Sequence, residues 1–323
     1  MKKLLLASSA LVASAGVASA EISWSGYAEM GIGGGTNQDA EFIQDIALTF
    51  SMSGMTDNGI EFGASSDLDE GNGQDQVNGG WNLDNESVFI SGAFGTLTMG
   101  EIDGAMDWAL TEAAVGNPGS LNDDETAHAG YMGSYLDGQY DNQIVRYDYT
   151  MGDFGFALSA EMDETDARDP GMAIGAKYSM ALGMGSLDLA AGYQQTDGTT
   201  ADGFLDTIVV PAGQDVTVAG ISAVMAMDNG LTVGVEYTDW EFGNVVDATH
   251  TGIGVGYTMD AITLHANWGQ YDVDGAGDIT GYGLAAAYDL GGGAALHLAY
   301  GDSDDDVNGV ESDSWSFGLS MSF

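Results

Sequence analysis

From Glu21 to the end of the chain, apolar residues repeatedly alternate with small or polar ones at a period of two. The C-terminal segment shows this most clearly. Its apolar members are Trp315, Phe317, Leu319, Met321 and Phe323, separated by Ser314, Ser316, Gly318, Ser320 and Ser322. Because successive side chains of a strand point to opposite faces, this pattern predicts a β-strand with one apolar and one polar face.

About sixteen segments of this kind follow one another along the chain. They lie near residues 22–33, 41–53, 59–67, 86–93, 96–102, 144–150, 155–162, 172–180, 187–195, 216–227, 231–240, 250–258, 261–271, 280–289, 294–302 and 313–323. A tilted strand of ~10 residues covers roughly 23 Å along a membrane normal, close to the ~25 Å apolar band of outer-membrane barrels. The pattern predicts an all-β fold, a transmembrane antiparallel β-barrel of about 16 strands.

The connections between these segments alternate between short and long. Gly- and Asn-rich turns such as Asp228-Asn229-Gly230 and Gly291-Gly292-Gly293 join some neighbours, as antiparallel hairpins require. Longer, acid-rich stretches join the others, including 68–85, 103–143 and 196–215. Short turns on one rim and long loops on the other are typical of bacterial outer-membrane barrels. A soluble β-sandwich is the alternative fold, but it does not explain this alternation.

The first twenty residues have a different pattern. Lys2 and Lys3 precede a Leu/Ala/Val run, which ends at the small residues Ala18-Ser19-Ala20. This order predicts a cleaved secretory signal peptide over residues 1–20. The apolar run is shorter than the ~20 residues of a spanning helix, and no later run reaches that length. We therefore expect one barrel domain over 21–323.

Composition narrows the chemistry that the chain can perform. It has no Cys, so it has neither disulfides nor thiolate chemistry. Fifty acidic residues face five basic ones, which argues against nucleic acid as a partner. The four histidines show no metal-ligand spacing, and no nucleophile motif occurs. We predict that the protein is not an enzyme and requires no cofactor.

Three blocks of sequence resemble a known family. They are residues 52–64 (MSGMTDNGIEFGA), residues 88–95 (VFISGAFG) followed by 99–101 (MGE), and residues 288–294 (YDLGGGA). All three resemble the general diffusion porins of Gram-negative outer membranes, in the alphaproteobacterial branch. The terminal Phe323, in its alternating strand, is similar to the assembly signal of that family.

The resemblance implies a sixteen-stranded homotrimer in the outer membrane, in contact with lipid and lipopolysaccharide and passing small hydrophilic solutes and ions. In this family one long loop folds into the lumen, and a second reaches over a neighbouring subunit. The lumenal loop maps to about 103–143, the longest connection. Its acidic residues are the predicted constriction residues, and they are Asp103, Asp107, Glu112, Asp123, Asp124 and Glu125.

Porins of this family commonly oppose the loop acids with a cluster of Arg and Lys, and this chain lacks one. From the alternation, the predicted lumen-facing wall residues are Glu29, Asp45, Glu61, Arg146, Asp148 and Lys177, while Arg168 falls in a loop. Because carboxylates in a pore favour cations, we predict a passive channel that prefers cations. A substrate-selective channel, or a non-conducting barrel that acts as an adhesin or structural anchor, remains the alternative.

Acidic clusters offer the oxygen ligands that calcium prefers. The candidate ligands are Asp67, Asp69, Asp75, Asp302, Asp304 and Asp306, and none follows the EF-hand spacing. Acidic loops also keep an exposed rim solvated, so a calcium site and a merely solvated surface both stay open.

Overall fold

The structure is a computed structural model that describes residues 20–36, 38–70, 81–121, 125–140, 143–163, 165, 167–198, 208 and 210–323. Asp75, Asp123 and Asp124 lie outside the described residues, as do the side chain of Asp69 and the proposed signal peptide up to residue 19. Across the described part of the chain, no helix has the length and apolar character needed to cross a membrane.

Within the described residues the chain forms sixteen strands and one short helix. The strands are β1 (Glu21–Gly35), β2 (Gln38–Met55), β3 (Glu61–Glu70), β4 (Trp81–Gly92), β5 (Gly95–Gly100), β6 (Ile144–Met151), β7 (Phe154–Glu161), β8 (Gly171–Leu182), β9 (Gly185–Asp197), β10 (Asp215–Met227), β11 (Leu231–Phe242), β12 (Val246–Met259), β13 (Ile262–Val273), β14 (Gly277–Gly291), β15 (Ala294–Asp305) and β16 (Val310–Ser322). The helix α1 (Ala105–Ala109) lies between β5 and β6.

The strands form a closed barrel in which each pairs with its neighbours in the chain and β1 pairs with β16. All pairs are antiparallel, and the closing pair runs from Tyr27 opposite Ser322 to Gly35 opposite Ser314. Closure satisfies the backbone groups that an open sheet would leave unpaired at its edges. The predicted sixteen-stranded antiparallel barrel is confirmed, and each predicted segment coincides with one strand.

The alternation along each strand separates an apolar outer face from an inner face of small and polar residues. On β16, Phe317 points outward and is 48% exposed, while the neighbouring Ser316 points inward and is fully buried. The outward aromatic residues Tyr193, Trp268 and Tyr288 are also exposed. An apolar outer surface of this kind suits hydrocarbon and not water.

The two rims differ less than the sequence predicted. Turns on one rim are tight, and Gly59 and Gly230 adopt the positive φ expected there. On the opposite rim, however, four connections contain only two to four residues, because acidic segments predicted as loops continue as paired strands. Asp302 and Asp304, for example, lie within β15 and pair with β16. Carboxylates are tolerated at these strand ends because solvent, rather than lipid, surrounds an outer rim.

Part of the barrel interior is filled by an apolar core, which the alternation along the strands does not predict. Trp240 and Phe242 on β11 point inward, stack with ring centroids 5.7 Å apart and are fully buried. They belong to one cluster with Val210, Val216 and residues of the 101–143 connection. Tyr271 on β13 belongs to the same cluster, so these inward-facing aromatic side chains are covered and form no exposed binding surface.

Candidate pore lining

The long connection between β5 and β6, residues 101–143, lies against the inner face of the barrel. Its backbone approaches inward-facing glycines so closely that no side chain would fit. A Cβ atom built on Gly254 would lie 1.5 Å from the carbonyl oxygen of Ala113, and one on Gly175 would lie 1.9 Å from that of Ala105. The loop therefore sits within the barrel at a distance that glycine alone permits.

These glycines form a band that follows the loop around the wall. Several are direct cross-strand neighbours, such as Gly175 opposite Gly192 and Gly252 opposite Gly269. The glycine band consists of Gly175, Gly192, Gly220, Gly234, Gly252, Gly254, Gly256, Gly269, Gly281, Gly283, Gly301, Gly318 and Gly31. This contact surface accounts for thirteen of the 50 glycines of the chain.

Wall histidines bind loop carbonyl oxygens. Nε2 of His250 lies 3.0 Å from the carbonyl oxygen of Gly130, and Nδ1 of His265 lies 3.0 Å from that of Val115. His297 contacts the carbonyl oxygen of Gly119 at 3.1 Å. Because a carbonyl oxygen only accepts, each imidazole donates. Histidines that are scattered in the sequence thus converge on one loop.

The fourth histidine, His128, belongs to the loop and lies over Gly281. Burial lowers the pKa of His128 to about 4, and the nearby His250 and His265 act in the same direction. The imidazole is therefore neutral at physiological pH and adds no positive charge to the interior.

The helix α1 is held at both ends by the wall of β6, β7 and β8. At its start, the backbone N–H of Ala105 donates to Oγ of Ser159 at 2.8 Å, and Nη1 of Arg146 donates to the carbonyl oxygen of Asp103 at 2.6 Å. At its end, Nζ of Lys177 donates to the carbonyl oxygen of Trp108 at 3.0 Å. A helix this short is unstable alone, so these contacts define it.

The loop acids are placed differently from one another. Asp103, Asp107 and Glu112 are partly exposed near α1, whereas Glu125 is fully buried. The prediction that Glu125 lines the constriction is therefore wrong. Its backbone packs on the glycine band at Gly283 and Gly301, which encloses the residue between loop and wall.

Burial reduces the charge of three other loop acids, Asp107, Glu112 and Asp137. It raises the pKa of Asp107 well above its usual range, and the neighbouring carboxylate of Glu112 adds to this shift. Burial raises the pKa of Glu112 as well, and that of Asp137 to about 7. The loop consequently carries less negative charge at neutral pH than its acidic residues imply.

The wall acids Asp45 and Glu61 face the part of the interior that the loop leaves open, whereas Glu29 is buried, which contradicts its predicted place in the pore lining. Inward side chains of β11–β13, such as Thr238 and Asn267, are buried beneath the loop. Those of β2–β5, such as Asp45, Ser65 and Thr98, are only half-buried. The open path therefore runs along β2–β5, on the side of the barrel away from the glycine band.

The predicted wall residues all point inward. Glu29 on β1 and Asp45 on β2 are directly opposite each other, and Glu29 accepts a hydrogen bond from Tyr27. Glu61 begins β3 and is half-buried, and Asp148 lies 3.5 Å from Nε of Arg146. Carboxylates thus dominate this side of the path.

The calcium prediction gains no support from the described residues. Among them, no group of three or more His, Asp or Glu side chains is placed to hold a metal ion. Strand pairing spreads Asp302 and Asp304 along β15, with Asp306 beyond its end, so these three do not surround an ion. Asp67 instead accepts a hydrogen bond from Nδ2 of Asn85 at 2.7 Å.

Phe323 follows β16 at the seam where the barrel closes. Its N–H donates to the carbonyl oxygen of Gly26 at 2.8 Å, and the N–H of Gly26 donates to its carbonyl oxygen at 3.2 Å. The side chain is 79% exposed on the outer surface.

The chain forms a closed antiparallel barrel with an apolar exterior, a polar path and a loop packed on its inner wall. This is the architecture of a membrane-spanning pore. Comparison with known proteins places the chain within one family. Residues 7–308 match the family described as Gram-negative porin. The porin of Rhodobacter capsulatus is 30% identical over 312 residues, covering 88% of this chain and 95% of that protein. The chain belongs to the Gram-negative porin family.

Solved structures agree with this assignment. A porin structure refined at 1.8 Å resolution has a TM-score of 0.72 and 26% identity, covering 94% of this chain and all of that one. An engineered variant of the Rh. blastica porin has a TM-score of 0.62 and 20% identity over 94% of this chain and all of that one, which supports the fold. Porins are passive channels of the outer membrane, so the prediction that the chain is not an enzyme is confirmed.

Proposed function

We propose that this porin is a passive diffusion channel for small hydrophilic solutes and that it prefers cations to anions. The observation that carries the proposal is the placement of its basic residues. Beyond residue 20 the chain has three, and each donates to a backbone carbonyl oxygen: Arg146 to Asp103, Lys177 to Trp108 and Arg168 to Asp197. Carboxylates, by contrast, line the open side of the interior.

The expected size of the effect follows from electrostatics. A carboxylate roughly 5 Å from an ion changes its energy by about 0.8 kcal/mol in water and by about 0.4 kcal/mol after screening at 0.15 M salt. This corresponds to about a twofold change in ion population for each carboxylate. Several such groups along one wall produce a marked preference.

Reversal potentials under a KCl gradient in planar bilayers test the proposal. We expect a cation-selective potential in the wild type. Asp45→Asn and Glu61→Gln should each move it toward zero by about a twofold change in permeability ratio. Asp272→Asn removes a carboxylate from the outward face and serves as the matched control. An unselective or anion-selective wild type would refute the preference.

We also infer that the chain is exported with a cleaved signal peptide and works as a homotrimer in contact with lipopolysaccharide. Membership of the porin family supports the trimer, and the apolar outward face of β1 and β2, where Trp24 and Phe42 are 64% and 87% exposed, suits contact with lipid or with a neighbouring subunit. The mass of the purified protein tests cleavage before Glu21. Cross-linking in detergent and in outer-membrane vesicles tests the trimer, and a monomer in both would contradict it.

A further inference from the structure

The cationic side chains of Arg146 and Lys177 contact the two ends of α1, which indicates a structural role for both residues. They lie on β6 and β8, on either side of β7, and reach opposite ends of α1. Their inward positions are directly opposite Ser159 and Gly155 of β7. The three strands thus place one cation at each end of the helix.

Each of the two cationic groups contacts the helix or the wall beside it and is not free in the lumen. Nζ of Lys177 lies 3.5 Å from the ring centroid of Trp108 while donating to the carbonyl oxygen of the same residue. The ring and the carbonyl oxygen both attract a cation, and the carbonyl lies at the negative end of the helix. The ammonium is therefore directed into the helix and away from the path.

Arg146 is constrained in the same way at the other end of α1. Its Nη1 donates to the carbonyl oxygen of Asp103, while the carboxylate of Asp148 lies 3.5 Å from its Nε. Only 14% of its side chain is exposed. The guanidinium is thus held between the wall and the loop.

We propose that Arg146 and Lys177 are positioning residues that clamp α1 to the wall of β6–β8 and thereby set the width of the pore beside it. They are not counter-charges for passing anions. Loss of either clamp releases one end of the helix into the path. This inference rests on the porin pore and shares the contacts of Arg146 and Lys177 with the proposed cation preference, but the position of α1 is tested without measuring selectivity.

A single thiol measures the position of α1. The chain has no Cys, and Met106 of α1 is fully buried against Gly192 and Gly220, so Met106→Cys introduces one buried thiol that is smaller than the original side chain. Its rate of reaction with a charged, water-soluble thiol reagent reports how often α1 leaves the wall. The measurement does not require conductance.

In the Met106→Cys background, Lys177→Met and Arg146→Gln should each increase the labelling rate about tenfold to a hundredfold, as expected for loss of one charge-assisted hydrogen bond. Lys177→Arg and Arg146→Lys keep a cationic donor and should stay within about threefold of the parent. Arg168→Gln removes the same charge away from α1 and is the matched control. Far-UV circular dichroism establishes that each barrel is folded.

Planar-bilayer recordings supply the second measurement. The two neutral variants should show larger current fluctuations in the open channel, and the two conservative variants should not. A folded Lys177→Met variant with unchanged labelling and fluctuations, altered only in reversal potential, would overturn the clamp. Equal labelling of the Met and Arg variants at 177 would overturn it too. If the wild type forms no channel, the proposed function fails while the labelling still tests the clamp.

Discussion

The glycine band makes a strong prediction about how the loop is seated. Gly175 faces α1, and its backbone does not have a positive φ, so alanine can occupy the position without backbone strain. Its Cβ would nevertheless lie 1.9 Å from the carbonyl oxygen of Ala105. Restoring an ordinary contact requires α1 to move away by about 1.5 Å.

A shift of this size has a calculable cost. It stretches the Ala105–Ser159 bond of 2.8 Å and the Lys177–Trp108 bond of 3.0 Å beyond hydrogen-bonding range. The neutral bond contributes about 1 kcal/mol and the charged one about 2 kcal/mol. Their combined loss of about 3 kcal/mol corresponds to about a hundredfold change in the equilibrium between seated and released helix.

The single thiol at Met106→Cys provides the assay. We expect Gly175→Ala to raise its labelling rate about a hundredfold, while the folded barrel keeps its resistance to unfolding in detergent. Gly183→Ala is the control, because a Cβ atom there meets nothing within 4 Å. Equal labelling rates in the Gly175→Ala variant and its parent would refute the reasoning, since α1 would then not depend on contact with the wall.

Two further predictions concern buried ionisable groups of the loop. Because burial raises the pKa of Asp137 to about 7, this carboxyl is neutral at pH 5 and ionised at pH 9. Cation preference should therefore increase between pH 5 and pH 9. Asp137→Asn should reduce this change in reversal potential, and an unchanged pH dependence in that variant would refute the role of Asp137. The hydroxyl of Tyr135 donates to Oε1 of the buried Glu236 at 2.6 Å. Tyr135→Phe removes the hydroxyl that donates to Oε1 and should speed labelling at Met106→Cys about tenfold, with unchanged labelling as the contrary result.

The interior of this barrel has two unequal sides. The loop and its apolar core occupy the side formed by β7–β16, where wall histidines and glycines hold the backbone in place. The path follows β2–β5, where carboxylates and hydroxyls remain accessible. Selectivity is therefore expected from the wall residues Asp45 and Glu61 more than from the loop residues Asp107, Glu112 and Asp137, because burial raises the pKa of these three carboxyl groups.

The strands, their number and the direction of their side chains followed from the sequence alone. Alternation is a local property, since each residue of a strand points opposite to its neighbour whatever the rest of the chain does. Tight turns are equally local, as Gly59 and Gly230 show. The antiparallel barrel, its apolar outer face and the inward positions of Glu29, Arg146 and Lys177 could therefore be derived from spacing.

Only the tertiary structure decided what the inward residues contact. His265 binds Val115, and Gly254 packs on Ala113, across more than a hundred residues of chain. The local period of the sequence does not predict contacts between such distant residues. It predicts that a glycine faces inward, but not that a loop packs against it. Glu125 is a second example, because its sequence position predicts a lumenal charge although the residue is buried. Arg146 and Lys177 are a third, because both donate to backbone carbonyl oxygens of the loop. Local periodicity determined the barrel, and long-range packing determined the path through it.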